Sequence, residues 1–240
     1  MQVVIIAGGL GTRLKAVAPD LPKALVPVAG RPFIEHQLGL LKKNGLLDVL
    51  LCVGHFADKI ERHVGDGSRF GLRVKYSYED PAQLLGTGGA LINALPLLQD
   101  SFFTLYGDSY LPTDYNAIVR AFESGGRKAL MSVYRNEGKW DKSNVRVQGD
   151  RVVFYSKAAQ PGEADCIDYG LSAYRKSVIQ AYREVTLPLD LARLQEDLVL
   201  RGEMGAFVVP DRFYEIGKPE GLAELEAVLK SGVMELWEDT

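Results

Sequence analysis

The sequence predicts an α/β protein with a doubly wound, mostly parallel sheet and an antiparallel insertion. Short apolar strands alternate with helices over the first half of the chain, as in sheets that are covered on both faces. In the middle of the chain, successive strands are instead joined by turns. At 240 residues the chain fits one domain, residues 1–240. Ligands of such sheets bind beyond the carboxyl ends of the strands, so the functional residues are expected there.

The first half of the domain, residues 1–127, alternates between strands and helices. Strand Val3–Ile6 is continuously apolar, which is typical of a strand buried on both faces. Apolar residues at helical spacing, two lysines in the last turn and Gly45 as a C-cap predict a helix over Pro32–Asn44. The same kinds of pattern predict the remaining elements in this order: strand Val49–Val53, helix Ala57–Val64, strand Leu72–Tyr76, helix Thr87–Leu95, strand Phe102–Tyr106 and helix Tyr115–Glu123.

The second half, residues 128–230, begins with strands that follow one another directly. Gly149-Asp150 is a hairpin signal between two of them. The predicted elements are strands Ala129–Tyr134, Asn144–Val147, Val152–Tyr155 and Gly170–Tyr174, helix Leu189–Leu200, strand Met204–Val209 and helix Pro219–Leu229. We therefore expect an antiparallel insertion that returns to the first half, followed by a loosely docked tail at Ser231–Thr240.

Composition and charge argue against several classes of protein. A net charge of −3 gives no basic face for nucleic acid, and no Lys/Arg-rich run suggests a membrane surface. No stretch approaches the ~20 apolar residues of a membrane span. Cys52 and Cys166 lack C-x-x-C spacing and are expected to be buried, reduced thiols of a cytoplasmic protein.

The glycine-rich segment after the first strand predicts an anion site. Residues 7–13 read A-G-G-L-G-T-R, and Lys23 follows. Glycine lets backbone N–H groups approach an anion, while Arg13 supplies a planar fork and Lys23 a compact charge, which together point to triphosphate chemistry. The dinucleotide fingerprint is incomplete because Leu14 replaces its third glycine, and no P-loop occurs. A flexible turn with a solvated Arg13 is the alternative for an isolated glycine loop.

The string G-G-L-G-T-R-L at 8–14, followed by Pro22-Lys23, resembles the signature of the sugar-1-phosphate nucleotidyltransferases. The similarity covers about the first 220 residues and is strongest through Gly89. It implies a Rossmann-like, GT-A-like fold whose first half binds nucleotide and whose second half binds sugar phosphate. The implied reaction joins an NTP to a sugar 1-phosphate and releases pyrophosphate. Arg13 would hold the leaving pyrophosphate, and Lys23 would neutralise the α-phosphoryl transition state.

The resemblance also assigns residues to the nucleotide. The segment L-G-T-G-G-A at 85–90 is similar to a family loop that holds base and ribose, and Glu79 lies just upstream. A tight strand–helix turn is the alternative. The nucleotide-binding residues implied are Ala7, Gly8, Gly9, Gly11, Thr12, Glu79, Gly86, Thr87 and Gly88.

Two carboxylates are candidate Mg²⁺ ligands. Asp108 ends an apolar strand in a G-D pair, which matches the usual first metal ligand of the family. Glu215 stands in F-Y-E-I-G at 213–217, where the family usually has aspartate, and Asp211 is a weaker substitute. A turn aspartate and an exposed strand-end glutamate are the alternatives. Tyr110 breaks the D-x-D motif of GT-A glycosyltransferases, which disfavours that class.

The remaining assignments concern the sugar phosphate. Lys157 occupies the place of a family lysine that contacts the sugar phosphate, although the flanking Glu and Pro are missing. Asp168-Tyr169-Gly170 resembles an N-x-G sugar-binding strand, with a solvated loop aspartate as the alternative. His36, His55 and His63 form no catalytic motif and are predicted to be structural.

The sequence indicates the type of reaction more closely than it indicates the substrates. The resemblance is greatest to D-glycero-D-manno-heptose 1-phosphate guanylyltransferases, which would use GTP. Mannose-1-phosphate guanylyltransferases and N-acetylmuramate-1-phosphate uridylyltransferases remain open, as do a non-catalytic nucleotide-sugar sensor and a GT-A glycosyltransferase. Apart from NTP and sugar 1-phosphate no partner is expected, and the chain would be a monomer or a homodimer.

Overall fold

The computed structural model describes residues 1–9, 20–83 and 85–232. The strands are β1 (Gln2–Ile6), β2 (Pro27–Val28), β3 (Arg31–Pro32), β4 (Asp48–Val53), β5 (Arg73–Tyr78), β6 (Ser101–Tyr106), β7 (Ser109–Tyr110), β8 (Ala129–Arg135), β9 (Val145–Gln148), β10 (Arg151–Tyr155), β11 (Cys166–Arg175), β12 (Met204–Val209) and β13 (Tyr214–Glu215). The helices are α1 (Phe33–Lys43), α2 (Ala57–Val64), α3 (Gly86–Asn93), α4 (Tyr115–Gly125), α5 (Lys176–Gln180), α6 (Leu191–Leu200) and α7 (Pro219–Lys230).

The helices and strands predicted from the sequence are all present, and their bounds agree to within two residues except at the start of β11. Two of the differences have a clear physical reason. Strand β11 begins at Cys166 instead of Gly170, because a bulge lets its first residues pair with β8. Helix α6 begins at Leu191 instead of Leu189, because the side chain of Asp190 caps it. The short elements β2, β3, β7, β13 and α5 were not predicted.

Nine strands form one mixed sheet in the order β5-β4-β1-β6-β11-β8-β12-β10-β9. Strands β5, β4, β1 and β6 run parallel to one another, as do β8 and β12. Strand β11 runs antiparallel between β6 and β8, and β10 runs antiparallel to both β12 and β9. The predicted α/β fold with antiparallel strands in the second half is therefore confirmed, but the sheet is mixed and not mostly parallel: four of its eight neighbouring pairs among the described strands are antiparallel, because β11 and β10 each run against both of their neighbours.

Helices cover both faces of this sheet. Val3 and Ile5 of β1 pack on one face with buried residues of α1, α2 and α4. Val4 faces the other way and packs with buried residues of α3, α5 and α6. Both thiols, Cys52 and Cys166, are buried and unbridged, as predicted. None of the helices described here is long and apolar enough to cross a membrane.

Candidate active site

The carboxyl ends of β1 and β6 meet at one edge of the sheet. Ile6 pairs with Tyr106 in the parallel ladder, and the N–H of Gly107 donates to the carbonyl of Ile6 at 3.0 Å. A cavity of about 170 Å³ opens at this point. It is lined by Ile6, Ala7, Gly9, Lys23, Ala24, Thr87, Tyr106, Gly107 and Asp108. Five residues assigned to the site from sequence, namely Ala7, Gly9, Lys23, Thr87 and Asp108, thus share one cavity.

Lys23 and Asp108 form an ion pair in this cavity. The Lys23 Nζ atom lies 2.8 Å from Asp108 Oδ2, and the two side chains are 20% and 26% exposed. Lys23 begins a short 3₁₀ turn, Lys23–Leu25, whose Ala24 is buried. Gly107 lets the two chain segments approach closely, since a Cβ there would lie 3.0 Å from the Ile6 carbonyl oxygen. A cation and a carboxylate are thereby held beside the glycine-rich segment.

Glu215 reaches the same turn through a two-residue strand pairing. Strand β13 pairs antiparallel with β7, which places Glu215 opposite Ser109. The N–H of Ile216 donates to the Asp108 carbonyl at 2.9 Å. Within 1–9, 20–83 and 85–232, no group of three or more His, Cys, Asp or Glu side chains is arranged to hold a metal by itself. Two carboxylates suit Mg²⁺ only when phosphate oxygens and water complete its coordination.

Glu79, the residue directly after β5, lies against the glycine-rich segment. Its N–H donates to the carbonyl of Val53 at 2.8 Å. A Cβ built on Gly8 would sit 3.0 Å from Oε1 of Glu79, so the carboxylate and Gly8 are in close contact. Burial raises the pKa of Glu79, and a hydrogen bond from the backbone of Leu85 partly offsets this.

The glycines at the start of α3 pack against the segment 187–190. The N–H groups of Gly88 and Gly89 donate to the carbonyl of Leu189 at 2.8 and 3.1 Å. Gly86 has φ +77°, and a Cβ there would clash with the same carbonyl. The Gly88 amide, which the sequence assigns to the nucleotide, is therefore bonded within the protein, whereas Thr87 lines the cavity.

Lys157 is linked to Thr87 through Asp190. The Lys157 Nζ atom lies 2.6 Å from Asp190 Oδ2, and the Thr87 hydroxyl donates to Asp190 Oδ1 at 3.2 Å. Burial would raise the pKa of Asp190, but hydrogen bonds from Lys157, Ala192 and Thr87 together lower it. The sequence analysis missed Asp190. An aspartate before an apolar helix marks an N-cap, yet that signal does not reveal the two other partners.

The three residues assigned to the sugar lie on the bulge of β11. Asp168 accepts hydrogen bonds from the Gly170 N–H at 2.9 Å and from the Tyr155 hydroxyl at 3.4 Å, while burial raises its pKa. A Cβ on Gly170 would lie 3.5 Å from the Tyr106 ring. Tyr169 instead turns into the core, where its ring packs edge-on against Phe213. Asp168 and Gly170 are thus near the cavity wall formed by Tyr106.

Three carboxylates surround Tyr106. Burial raises the pKa of its phenol well above the ordinary value, and the charges of Asp168, Asp190 and Asp108 add to the effect. Lys23 offsets the charge of Asp108, and Lys157 offsets the charge of Asp190. In general, lysines suit the phosphate of a ligand, and carboxylates suit the hydroxyl groups of a sugar.

The remaining assignments either fall outside the site or cannot be placed. Gly11, Thr12 and Arg13 lie outside the described residues. His36 contacts the Val28 carbonyl through Nε2 at 2.8 Å, and His63 pairs with Glu35 at 2.8 Å. These two histidines have structural roles, as predicted.

The chain matches a known protein family and several of its members. A family profile described as "Nucleotidyl transferase" matches residues 2–145. The chain is 36% identical over 118 residues to the D-glycero-alpha-D-manno-heptose 1-phosphate guanylyltransferase of Campylobacter jejuni, covering 49% of this chain and 52% of that protein. It is 36% identical over 188 residues to a glucose-1-phosphate thymidylyltransferase of Streptomyces antibioticus, covering 77% and 52%. This chain spans about half the length of these relatives.

Solved structures share the fold. The crystal structure of HddC from Yersinia pseudotuberculosis superposes with a TM-score of 0.76 at 27% identity, covering 94% of this chain and 98% of that one. A putative glucose-1-phosphate thymidylyltransferase of Bacillus anthracis gives a TM-score of 0.87 at 19% identity, covering 100% and 98%. At that identity the second comparison supports the fold alone.

Proposed function

Since the chain belongs to the nucleotidyl transferase family, we propose that it joins an NTP to a sugar 1-phosphate, giving an NDP-sugar and pyrophosphate. The observation that carries this proposal is the ion pair of Lys23 with Asp108 inside a cavity bounded by Ala7, Gly9 and Thr87. A lysine beside exposed backbone N–H groups suits a polyphosphate, and a neighbouring carboxylate suits the divalent cation that accompanies a polyphosphate.

The chemistry is an in-line displacement at phosphorus. An oxygen of the sugar phosphate forms a bond to the α-phosphorus of the NTP, while the bond from that phosphorus to the bridging oxygen breaks and pyrophosphate leaves. The attacking oxygen is already anionic, so no general base is needed, and catalysis depends on positioning and on neutralising charge. Lys23 would neutralise the α-phosphoryl group, Arg13 would hold the pyrophosphate, and Lys157 would bind the sugar phosphate.

Asp108 and Glu215 are proposed to hold Mg²⁺ together with the phosphates. The backbone pairing of β7 with β13 supports this assignment, because it fixes Glu215 beside the turn that carries Asp108. Bound Mg²⁺ supplies charge neutralisation to the phosphate oxygens. Lys23 already neutralises one carboxylate of this pair, which limits the repulsion between them.

GTP is the proposed nucleotide, and Glu79 would read its base. An ionised carboxylate only accepts hydrogen bonds, and guanine presents two adjacent donors, N1–H and the N2 amino group. The position of Glu79 against Gly8 supports this role. Similarity to the Campylobacter guanylyltransferase also favours GTP, whereas the similarity to thymidylyltransferases leaves the other bases to be tested.

Changing Glu79 to glutamine is expected to raise KM for GTP about 10-fold, which corresponds to the lower part of the range for a lost bidentate base contact. Burial raises the pKa of Glu79, so this carboxylate takes up a proton at a higher pH than an ordinary glutamate does. As the solution is acidified, the wild-type KM for GTP should therefore begin to rise at that higher pH. The glutamine variant should lack this component of the pH profile. Asp80→Asn is the control, since Asp80 is exposed and its carboxylate accepts from the nearby N–H of Ala82 at 2.8 Å. An unchanged KM in Glu79→Gln would remove the residue from base recognition.

Lys157→Gln is expected to raise KM for the sugar 1-phosphate about 10-fold, as for one lost charge-assisted hydrogen bond, and to leave KM for the NTP unchanged. Lys128→Gln is a matched control. Lys128 forms an equally short ion pair, 2.6 Å to Glu203, but precedes β8 at the opposite edge of the sheet. Steady-state kinetics with each substrate varied in turn gives both constants. A similar rise in both variants would show that Lys157 has no specific role.

The sugar is proposed to be D-glycero-D-manno-heptose 1-phosphate, with mannose 1-phosphate and N-acetylmuramate 1-phosphate as the alternatives. A matrix of NTPs against sugar 1-phosphates, followed by pyrophosphate release, tests the whole assignment. Pyrophosphate should appear only when both substrates are present, and fastest with GTP and the heptose phosphate. Release of a free nucleoside diphosphate would indicate a glycosyltransferase. Nucleotide-sugar binding without turnover would indicate a sensor.

A further inference from the structure

Gln37 holds the turn that carries Asp108. The residue lies in α1 and is 2% exposed. Its side-chain Nε2 donates to the carbonyl of Tyr106 at 2.9 Å and to that of Ser109 at 2.8 Å. The two acceptors bracket Gly107-Asp108, so both protons of one buried amide are used to hold the ends of this turn.

Backbone hydrogen bonds also hold this turn. The Gly107 N–H donates to the Ile6 carbonyl at 3.0 Å, and the Asp108 carbonyl accepts from the Ile216 N–H at 2.9 Å. These bonds tie the turn to β1 and to the residue after β13. Gln37 adds the connection to α1, whose buried side chains anchor it in the core. The direction of the Asp108 carboxylate toward Lys23 therefore depends on all three attachments.

We propose that Gln37 is a positioning residue, which fixes the 106–109 turn so that Asp108 meets both Lys23 and the metal-bound triphosphate. The inference rests on the proposed function, since it assigns a role to a residue behind the same site. Without the amide, the carbonyls of Tyr106, at the end of β6, and of Ser109, in β7, lose this donor, and the turn relaxes to recover hydrogen bonds. The carboxylate then leaves the position from which it holds a divalent cation.

Gln37→Met tests this role against Gln2→Met. Gln2 is also a buried glutamine, 4% exposed, and it bonds two backbone groups, the Leu97 carbonyl at 3.1 Å and the Gln99 N–H at 2.9 Å. It lies at the opposite end of β1, away from Asp108. Both variants lose a buried amide and both should lower thermal stability, so stability alone does not distinguish them.

The distinguishing readout is binding of Mn²⁺, followed by electron paramagnetic resonance in the presence of a non-hydrolysable GTP analogue. Gln37→Met should weaken Mn²⁺ binding about 10-fold or more, as for other residues that orient a metal ligand. It should also raise the Mg²⁺ concentration that gives half-maximal pyrophosphate release. Gln2→Met should change neither quantity. If Gln37→Met does not fold, Gln37→Asn keeps an amide that is too short to bond both carbonyls, and it should weaken Mn²⁺ binding in the same direction.

Wild-type Mn²⁺ binding in the folded variant, or equal weakening in Gln2→Met, would overturn the role of Gln37. Failure of the proposed function looks different, because the wild-type protein itself would then release no pyrophosphate with any pair of substrates. A wild-type protein that turns over, combined with a Gln37 variant that matches the Gln2 control, rejects only the positioning role.

Discussion

Lys23→Met is expected to lower kcat about 10²–10³-fold, or ~2.7–4 kcal/mol, the typical loss when one transition-state charge stabiliser is removed. Lys23 is only 20% exposed, so its charge acts in a cavity where water screens it weakly. The extra negative charge of the transition state develops beside that ammonium. The effect should therefore fall mainly on kcat, with a smaller effect on KM for the NTP.

The measurement is steady-state pyrophosphate release with both substrates saturating. Lys176→Met is the control. This substitution also removes a defined hydrogen bond, from Lys176 Nζ to the Leu98 carbonyl at 2.9 Å, but Lys176 follows the end of β11 that is far from the cavity. Lys23→Arg keeps the charge on a larger, planar group and should retain part of the activity. A kcat within about 3-fold of wild type in Lys23→Met, less than 1 kcal/mol, would exclude Lys23 from the transition state.

The fold was largely accessible from sequence because hydrophobic periodicity extends over whole elements. Helix Ala57–Val64 is long enough for its amphipathic period to be recognised, and strand Gln2–Ile6 is recognisable as a continuous apolar run. The pairing of Ser109–Tyr110 with Tyr214–Glu215 involves strands of two residues, which have no period. This pairing nevertheless joins the chain segments of the two predicted metal ligands, Asp108 and Glu215, and the sequence does not reveal it.

Gln37 and Asp190 were missed for the same physical reason. Gln37 stands on the apolar face of its helix, four residues from both Phe33 and Leu41, and a polar residue at such a position is a recognisable signal. The sequence does not show which carbonyls it meets, because they come from another part of the chain. Asp190 is similar, since its capping role is local while its bonds to Thr87 and Lys157 depend on the tertiary fold.

The glycines at the start of α3 are a different case, because the sequence motif was recognised but the group that its amides bind was not. A small-residue motif at a helix start was assigned to the nucleotide, since oriented N–H groups are suited to binding polar ligands. In the structure, the carbonyl of Leu189 accepts from two of these groups. Glycine there also permits the close packing of segment 187–190. A motif thus identifies a place in the chain where backbone is closely approached, but not whether a ligand or the protein itself approaches it.

Asp108→Asn should reduce pyrophosphate release about 10²–10³-fold, as expected when several kcal/mol of metal-dependent charge stabilisation are lost. Asparagine keeps the shape of the side chain and its carbonyl acceptor, so the 106–109 turn should persist. It removes the charge that pairs with Lys23 at 2.8 Å and the second anionic oxygen that a divalent cation prefers. Mn²⁺ binding with nucleotide should therefore weaken together with activity.

Asp114→Asn provides the matched control for this substitution. Asp114 caps α4 by accepting from the Ala117 N–H at 3.0 Å, and asparagine is an equally good N-cap. The control should keep wild-type turnover and Mn²⁺ binding. Normal turnover in Asp108→Asn would contradict the metal assignment.

Combining Asp108→Asn with Lys23→Met extends the test from each residue to the pair. If the two side chains act on one phosphate group as a unit, the double variant should lose much less activity than the product of the single losses. Part of each single loss arises because the partner charge is left unpaired in a partly buried cavity, and the double variant has no unpaired charge of this kind. Multiplicative losses would instead show that Lys23 and Asp108 contribute independently and that their ion pair has no part in the reaction.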